Sequence, residues 1–106
     1  MKPRRVVFHA DAEQDLAAIV EWIAERASPR TALNFVGRLR QYCADFDIFS
    51  ERGARRDDLA PGLRTIGFRR RATIVFTLAS EDVIILRVLY GGRDIRRLFG
   101  PESEPD

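Results

Sequence analysis

Leu63-Arg64-Thr65-Ile66-Gly67-Phe68, Thr73-Ile74-Val75-Phe76-Thr77-Leu78-Ala79 and Val83-Ile84-Ile85-Leu86-Arg87-Val88-Leu89-Tyr90 decide the fold. Each run is rich in β-branched and aromatic residues, the composition of a strand. The connections carry Arg69-Arg70-Arg71 and Ser80-Glu81-Asp82. Parallel neighbours need a long crossover, so connections this short dictate an antiparallel meander. The last run has two alternate sets of side chains. One is Ile84, Leu86, Val88 and Tyr90; the other is Val83, Ile85, Arg87 and Leu89. Both are apolar, yet only one can meet helices. A strand with two apolar faces calls for cover on both. In this short chain nothing remains to cover the second, so an exposed apolar face is expected, and such a face suggests a binding site; the alternative is cover by the long loop or the tail.

Ahead of the meander, Ser50 to Pro61 is polar and holds Gly53 and Asp57-Asp58, the pattern of a long loop. Before it come two helices. Leu16, Ile19, Val20, Ile23 and Ala27 recur at helical spacing and form one apolar stripe, with Trp22 at its margin. Asp11 reads as the N-cap, with Gln14 completing a capping box. Glu13 and Asp15 place negative charge on the first turn, where the helix dipole favours it. Ser28-Pro29 starts the next helix, Ser as N-cap and Pro at the first helical position. Its stripe is Ala32, Phe35, Leu39, Tyr42, Cys43, Phe46 and Phe49. The short turn makes the two helices an antiparallel hairpin. Arg4 to Phe8 forms a first short strand, and Asp94 to Phe99 a brief helical turn. The expected fold is α+β in the order β-α-α-β-β-β, with the helix hairpin on one face of a small, mainly antiparallel sheet. Residues 1–99 make a single domain, and 100–106 a flexible acidic tail.

The chain has 106 residues, enough for one domain and too short for two. At 45% hydrophobic residues it can build a packed core. No apolar run approaches the ~20 residues of a membrane span. Val6 to Phe8 is too short for a signal peptide's apolar region, which makes the cytoplasm the default location. A lone Cys43 excludes an internal disulfide. Net charge is +2, so the molecule is no polycation, but charge is unevenly spread. Arg64 to Arg97 holds eight arginines against three acids, Glu81, Asp82 and Asp94. Such a positive field attracts nucleic acid or acidic protein segments.

Metal chemistry finds no support: there is one His and one Cys, without ligand spacing. His9 reads as a surface or cap residue and Cys43 as inert core. No Ser-His-acid set can be assembled, and Gly91-Gly92 lacks the Lys-Ser/Thr of a phosphate loop. No cofactor is expected. The catalytic constellation that survives is arginines near a tyrosine, acting on an RNA phosphodiester: Arg64, Arg69, Arg71, Arg87, Arg93 and Tyr90 are the available parts, with Tyr90, Arg64 and Arg87 the central ones. Tyrosine is a poor general base at neutral pH unless its pKa is strongly lowered.

Asp57-Asp58-Leu59-Ala60-Pro61-Gly62-Leu63-Arg64 and Arg87-Val88-Leu89-Tyr90-Gly91-Gly92-Arg93-Asp94 resemble two stretches of the ParE toxins, of the RelE/ParE toxin–antitoxin superfamily, often called plasmid stabilisation proteins. Ala12, Asp15, Leu16, Ile19, Trp22 and Ile23 resemble that family's first helix; Ala32, Phe35 and Leu39 resemble its second. The resemblance covers Val6 to Phe99. Tyr90 stands where the family usually has His, Gly92 where it usually has Ala, and the usual Pro ahead of Gly53 is missing. The resemblance implies a toxin that inhibits DNA gyrase. It also implies a ParD-like antitoxin whose N-terminal part binds operator DNA, which the toxin reaches only indirectly, and whose flexible C-terminal segment wraps the toxin. The alternatives are a RelE-like ribosome-dependent mRNA endonuclease and a degenerate toxin kept as an interaction module. Arg64, Arg69, Arg70, Arg71, Tyr90 and Arg93 are the expected target-binding set. Val83, Ile85, Arg87 and Leu89, with Trp22, are the expected antitoxin-binding set.

Overall fold

The computed structural model of the chain describes residues 3–91. Elements run β1 (Arg5–Phe8), α1 (Ala10–Arg26), α2 (Pro29–Ala44), a 3-10 turn (Asp45–Asp47), β2 (Ala54–Arg55), β3 (Leu63–Phe68), β4 (Ala72–Leu78) and β5 (Asp82–Tyr90). They form a two-layer α+β fold. The sheet order is β1-β5-β4-β3-β2. β3, β4 and β5 are the expected antiparallel meander, and β1 joins β5 in parallel. That parallel pair is possible because β1 and β5 are far apart in the chain, with both helices and strands β2 to β4 between them. The two-residue β2, inside the expected loop, pairs with Thr65 and Arg64.

Local chemistry explains the helix starts. The N-cap of α1 is His9, not Asp11: its Nδ1 accepts from the Asp11 N–H at 3.0 Å. Asp11 lies inside the first turn with Glu13, where their charges suit the dipole. Ser28 caps α2 as expected, its Oγ accepting from the Thr31 N–H at 3.1 Å, with Pro29 in the first turn. Ala12, Leu16, Ile19 and Ile23 of α1 and Ala32, Val36, Leu39 and Cys43 of α2 are buried against the sheet. Phe35 and Tyr42 are half-buried, and Phe46 is fully buried. Burial pushes the Cys43 thiol up to about 12. Phe49 does not extend the stripe. It is 68% exposed and left-handed (φ 57°), because the chain has left the helix by then. Arg52 holds that corner, donating to the carbonyls of Asp45 (2.6 Å), Ile48 (3.0 Å) and Phe49 (2.9 Å).

The largest departure from simple alternation is in β5. Phe76 pairs with Ile85, but the preceding Val75 pairs with Arg87, so Leu86 is an extra residue. This bulge reverses the faces. Val83 and Ile85 before it, and Val88 and Tyr90 after it, meet the helices. Leu89 and Leu86 meet a second, smaller core on the other face with Leu63 and Val75, covered by Leu59 and Ala60 of the long loop. The expected exposed strand face therefore does not exist. Val83 and Ile85 are 0% exposed and Leu89 is 4% exposed. Val83 and Ile85 are closed off by the helices and Leu89 by the loop, whose Asp57 Oδ1 accepts from the Gly62 N–H at 2.8 Å. No helix among the described residues is long and apolar enough to cross a membrane. The described residues contain no group of side chains able to hold a metal ion.

Candidate functional site

β1 ends opposite Ile85, so the later part of β5 has no strand beside it on that flank. α1 fills the gap with a side chain. Asp15 shares a helix face with Ala12 and Ile19 and is 9% exposed. Its Oδ2 accepts from the Val88 N–H at 2.8 Å and from Arg87 Nε at 2.8 Å; its Oδ1 accepts from Arg87 Nη2 at 2.9 Å. The fork is bidentate and charge-assisted, the stronger kind of hydrogen bond. The hydrogen bond to Asp15 is the main cause that raises the Arg87 pKa above its ordinary value. Arg87 is thus bound inside the fold. This corrects the expectation that it awaits an antitoxin acid. The signal for Asp15 was present in the sequence: an acid on an apolar stripe needs a buried partner.

Below this pair the apolar wall continues. The Tyr90 ring stands edge-on to Trp22 (centroids 5.4 Å) and to Phe35 (5.5 Å). The Arg26 guanidinium lies 4.0 Å from the centre of the Trp22 ring, a cation–π contact. Asp15, Ala18, Ile19, Trp22, Val88 and Tyr90 line a groove of about 350 Å³, and Trp22 remains 45% exposed.

The β3–β4 connection stands at the same end of the sheet. The Arg71 N–H closes its turn onto the Phe68 carbonyl at 3.0 Å. Both central residues, Arg69 (φ 53°) and Arg70 (φ 59°), are left-handed. Each such non-glycine residue is disfavoured by ~1–2 kcal/mol. The Gly91 N–H donates to the Arg71 carbonyl at 3.1 Å, and Ala72 pairs with Tyr90. Arg69, Arg70 and Arg71 are exposed, and Arg69 sits over the Phe68 ring at 5.3 Å.

The structure therefore brings together Arg69, Arg70, Arg71 and Tyr90 of the expected target-binding set. Arg64 stands apart, nearer the other end of β3, at ~13 Å from Phe68 by strand rise; its Nη1 donates to the Arg52 carbonyl at 3.1 Å. Arg93, Gly92 and the helical turn and tail expected after them lie outside the described residues. The central nuclease trio of Tyr90, Arg64 and Arg87 is not brought together. β4 separates Arg64 from β5, Arg87 is forked onto Asp15, and Tyr90 packs between two aromatic rings.

A family model for the ParE toxin of the type II toxin–antitoxin system parDE matches residues 6–95. Toxin ParE3 of Caulobacter vibrioides is 27% identical over 99 residues, which is 93% of this chain and 98% of that protein. A solved chromosomal ParDE toxin–antitoxin system from P. aeruginosa superposes with a TM-score of 0.74 at 23% identity, covering 85% of this chain and 98% of its own. The RelBE2 toxin–antitoxin complex of Mycobacterium tuberculosis gives a TM-score of 0.51 at 20% identity, covering 84% and 99%. The two structures speak to the fold, which is of the RelE/ParE kind; the family match spans both the Asp15–Arg87 pair and the basic turn. The chain belongs to the ParE toxin family of type II toxin–antitoxin systems.

Proposed function

We propose that this toxin acts in the cytoplasm by inhibiting DNA gyrase, without chemistry of its own, and is kept silent by a ParD-like antitoxin. The observation that carries the reading is the exposed three-arginine turn joined to the Tyr90 end of β5. It is a surface for gripping an anionic target, while Arg64 lies across β4 from Tyr90 and Arg87 is forked onto Asp15. The antitoxin docks on α1 beside Trp22, the exposed aromatic at the rim of the groove. A segment that folds on binding would gain its apolar anchor there. Of the strand residues expected to meet it, Val83 and Ile85 are buried under the helices and Leu89 under the long loop. Operator DNA is contacted through the antitoxin.

Expression without antitoxin tests this, with gyrase cleavage complexes and mRNA cuts read separately. Tyr90→Phe keeps the ring between Trp22 and Phe35 and deletes only the hydroxyl. Growth arrest with gyrase inhibition should persist in that variant. Cut mRNA in the parent, with ~10²–10⁴-fold slower cutting in Tyr90→Phe, would replace the inhibitor with a nuclease.

A further inference from the structure

Many arginines of the described chain are neutralised within the fold. Arg5 meets Asp82, Arg40 meets Glu13, Arg56 meets Asp58 and Arg87 meets Asp15. Arg69, Arg70 and Arg71 have no carboxylate partner among the described residues, and all three are exposed. They also occupy an unsuitable turn. Two successive left-handed residues are the sign pattern of a type I′ turn, whose preferred sequence is Asn-Gly. This chain places Arg at both positions, φ 53° and 59°. Local folding would favour Asn-Gly, so the arginines are explained by what they touch rather than by how the turn closes.

We propose that this turn is a phosphate-gripping element, through which the toxin itself contacts the backbone of duplex DNA. The proposal rests on the target surface described above and gives its ligand a chemical class. A protein partner would need an apolar centre to its interface. The turn offers none: Phe68 and Ala72 are buried, while Gly67 and the three arginines are exposed. Phosphates need only charge and a planar donor fork, which guanidinium supplies. Contact of this kind is independent of sequence and steeply salt-dependent.

The test compares the full-length chain with R69N/R70G on a short random-sequence duplex across a salt series. Asn-Gly relieves the turn, so the variant should melt about 4 °C higher or more while binding the duplex at least tenfold more weakly. The slope of log affinity against log salt should shrink by about 1.8, two phosphate contacts at ~0.9 each. A stability gain with a binding loss cannot come from damage to the fold. Equal binding by parent and variant would overturn the proposal, and so would a lower melting temperature in R69N/R70G. Binding to polyglutamate but not to duplex would overturn it in favour of an acidic protein surface. Gyrase supercoiling measured in parallel separates the two readings. Inhibition without duplex contact removes the DNA contact alone; duplex contact without inhibition removes the gyrase reading alone. The same duplex carrying operator sequence, with and without antitoxin, distinguishes operator binding from contact with DNA at large.

Discussion

Removing the Asp15 carboxylate should uncouple α1 from the end of β5, and the size of the effect can be worked from the geometry. Asp15→Ala deletes the acceptor of three hydrogen bonds, two of them from a guanidinium. It leaves the Val88 N–H buried and unmet, and Arg87 without its counter-ion. Breaking a buried pair from one side costs ~3–5 kcal/mol. The Arg87 side chain is 26% exposed, so water recovers part of this, which places the expected loss at about 2–4 kcal/mol. Asp15→Asn keeps one oxygen for the Val88 N–H and should lose less, about 1–2 kcal/mol. Arg87→Met alone strands the carboxylate, so Asp15→Asn with Arg87→Met should fall short of the summed losses by about 1–3 kcal/mol. Urea unfolding followed through Trp22, the single tryptophan, is the assay; its ring touches Tyr90 and reports on this end of the strand. Arg87 has a raised folded pKa, so its contribution is complete below the ordinary arginine value and is lost only as pH rises through the higher folded one. Its share of the coupling should therefore be flat across the neutral range. Additive losses within about 0.5 kcal/mol would refute the claim that these residues act as one device.

Leu39 is 0% exposed between the hairpin and the sheet. Leu39→Ala should cost about 2–5 kcal/mol, and melting within a degree or two of the parent would place Leu39 outside the core. The hydrogen bond from the Gly62 N–H holds the Asp57 carboxyl below its ordinary range. What it contributes is present above the ordinary aspartate value, about 3.9, and is lost as pH falls through the lower folded value. The Gly62 amide proton should titrate with a midpoint below that value, and a midpoint at or above it would detach Asp57 from the loop.

The architecture was legible wherever one local rule decided it. Short connections dictated the meander, Ser28-Pro29 marked the second helix, and the stripe from Leu16 to Ile23 named its own buried face. What escaped were features that belong to a pair of segments. The bulge at Leu86 is a mismatch between β4 and β5, and no Gly or Pro announces it in Val83 to Tyr90. The cover from Leu59 and Ala60 is tertiary, invisible to any period within the loop. β2 spans two residues, too few to show a period. His9 caps α1 in place of Asp11 because the helix already begins at Ala10 and an imidazole nitrogen can accept from the Asp11 N–H, while the sequence offered the commoner cap farther along. At the candidate site the charge of Arg69–Arg71 could be read directly. Its left-handed backbone could not, since Arg-Arg is not a signal for such a turn.

That single extra residue in β5 also relocates recognition. Under strict alternation Leu89 would share the helix side with Val83 and Ile85, and Tyr90 would face the loop. The bulge sends Leu89 under Leu59 and Ala60 and turns Tyr90 toward Trp22 and Phe35. The sheet face is thereby closed by the chain's own loop, and what stays open is the end of the sheet. There the groove beside Trp22 and the Arg69–Arg71 turn are neighbours, tied through Gly91 and Tyr90. On the proposed reading the antitoxin takes the first surface and the target the second. Two partners on adjoining surfaces exclude one another by bulk and charge alone, because an acidic segment over Trp22 lies within reach of the turn. Neutralisation then needs no rearrangement of the toxin. It needs only that Tyr90 hold the two surfaces side by side, which is the position the Asp15–Arg87 pair fixes from farther up the same strand.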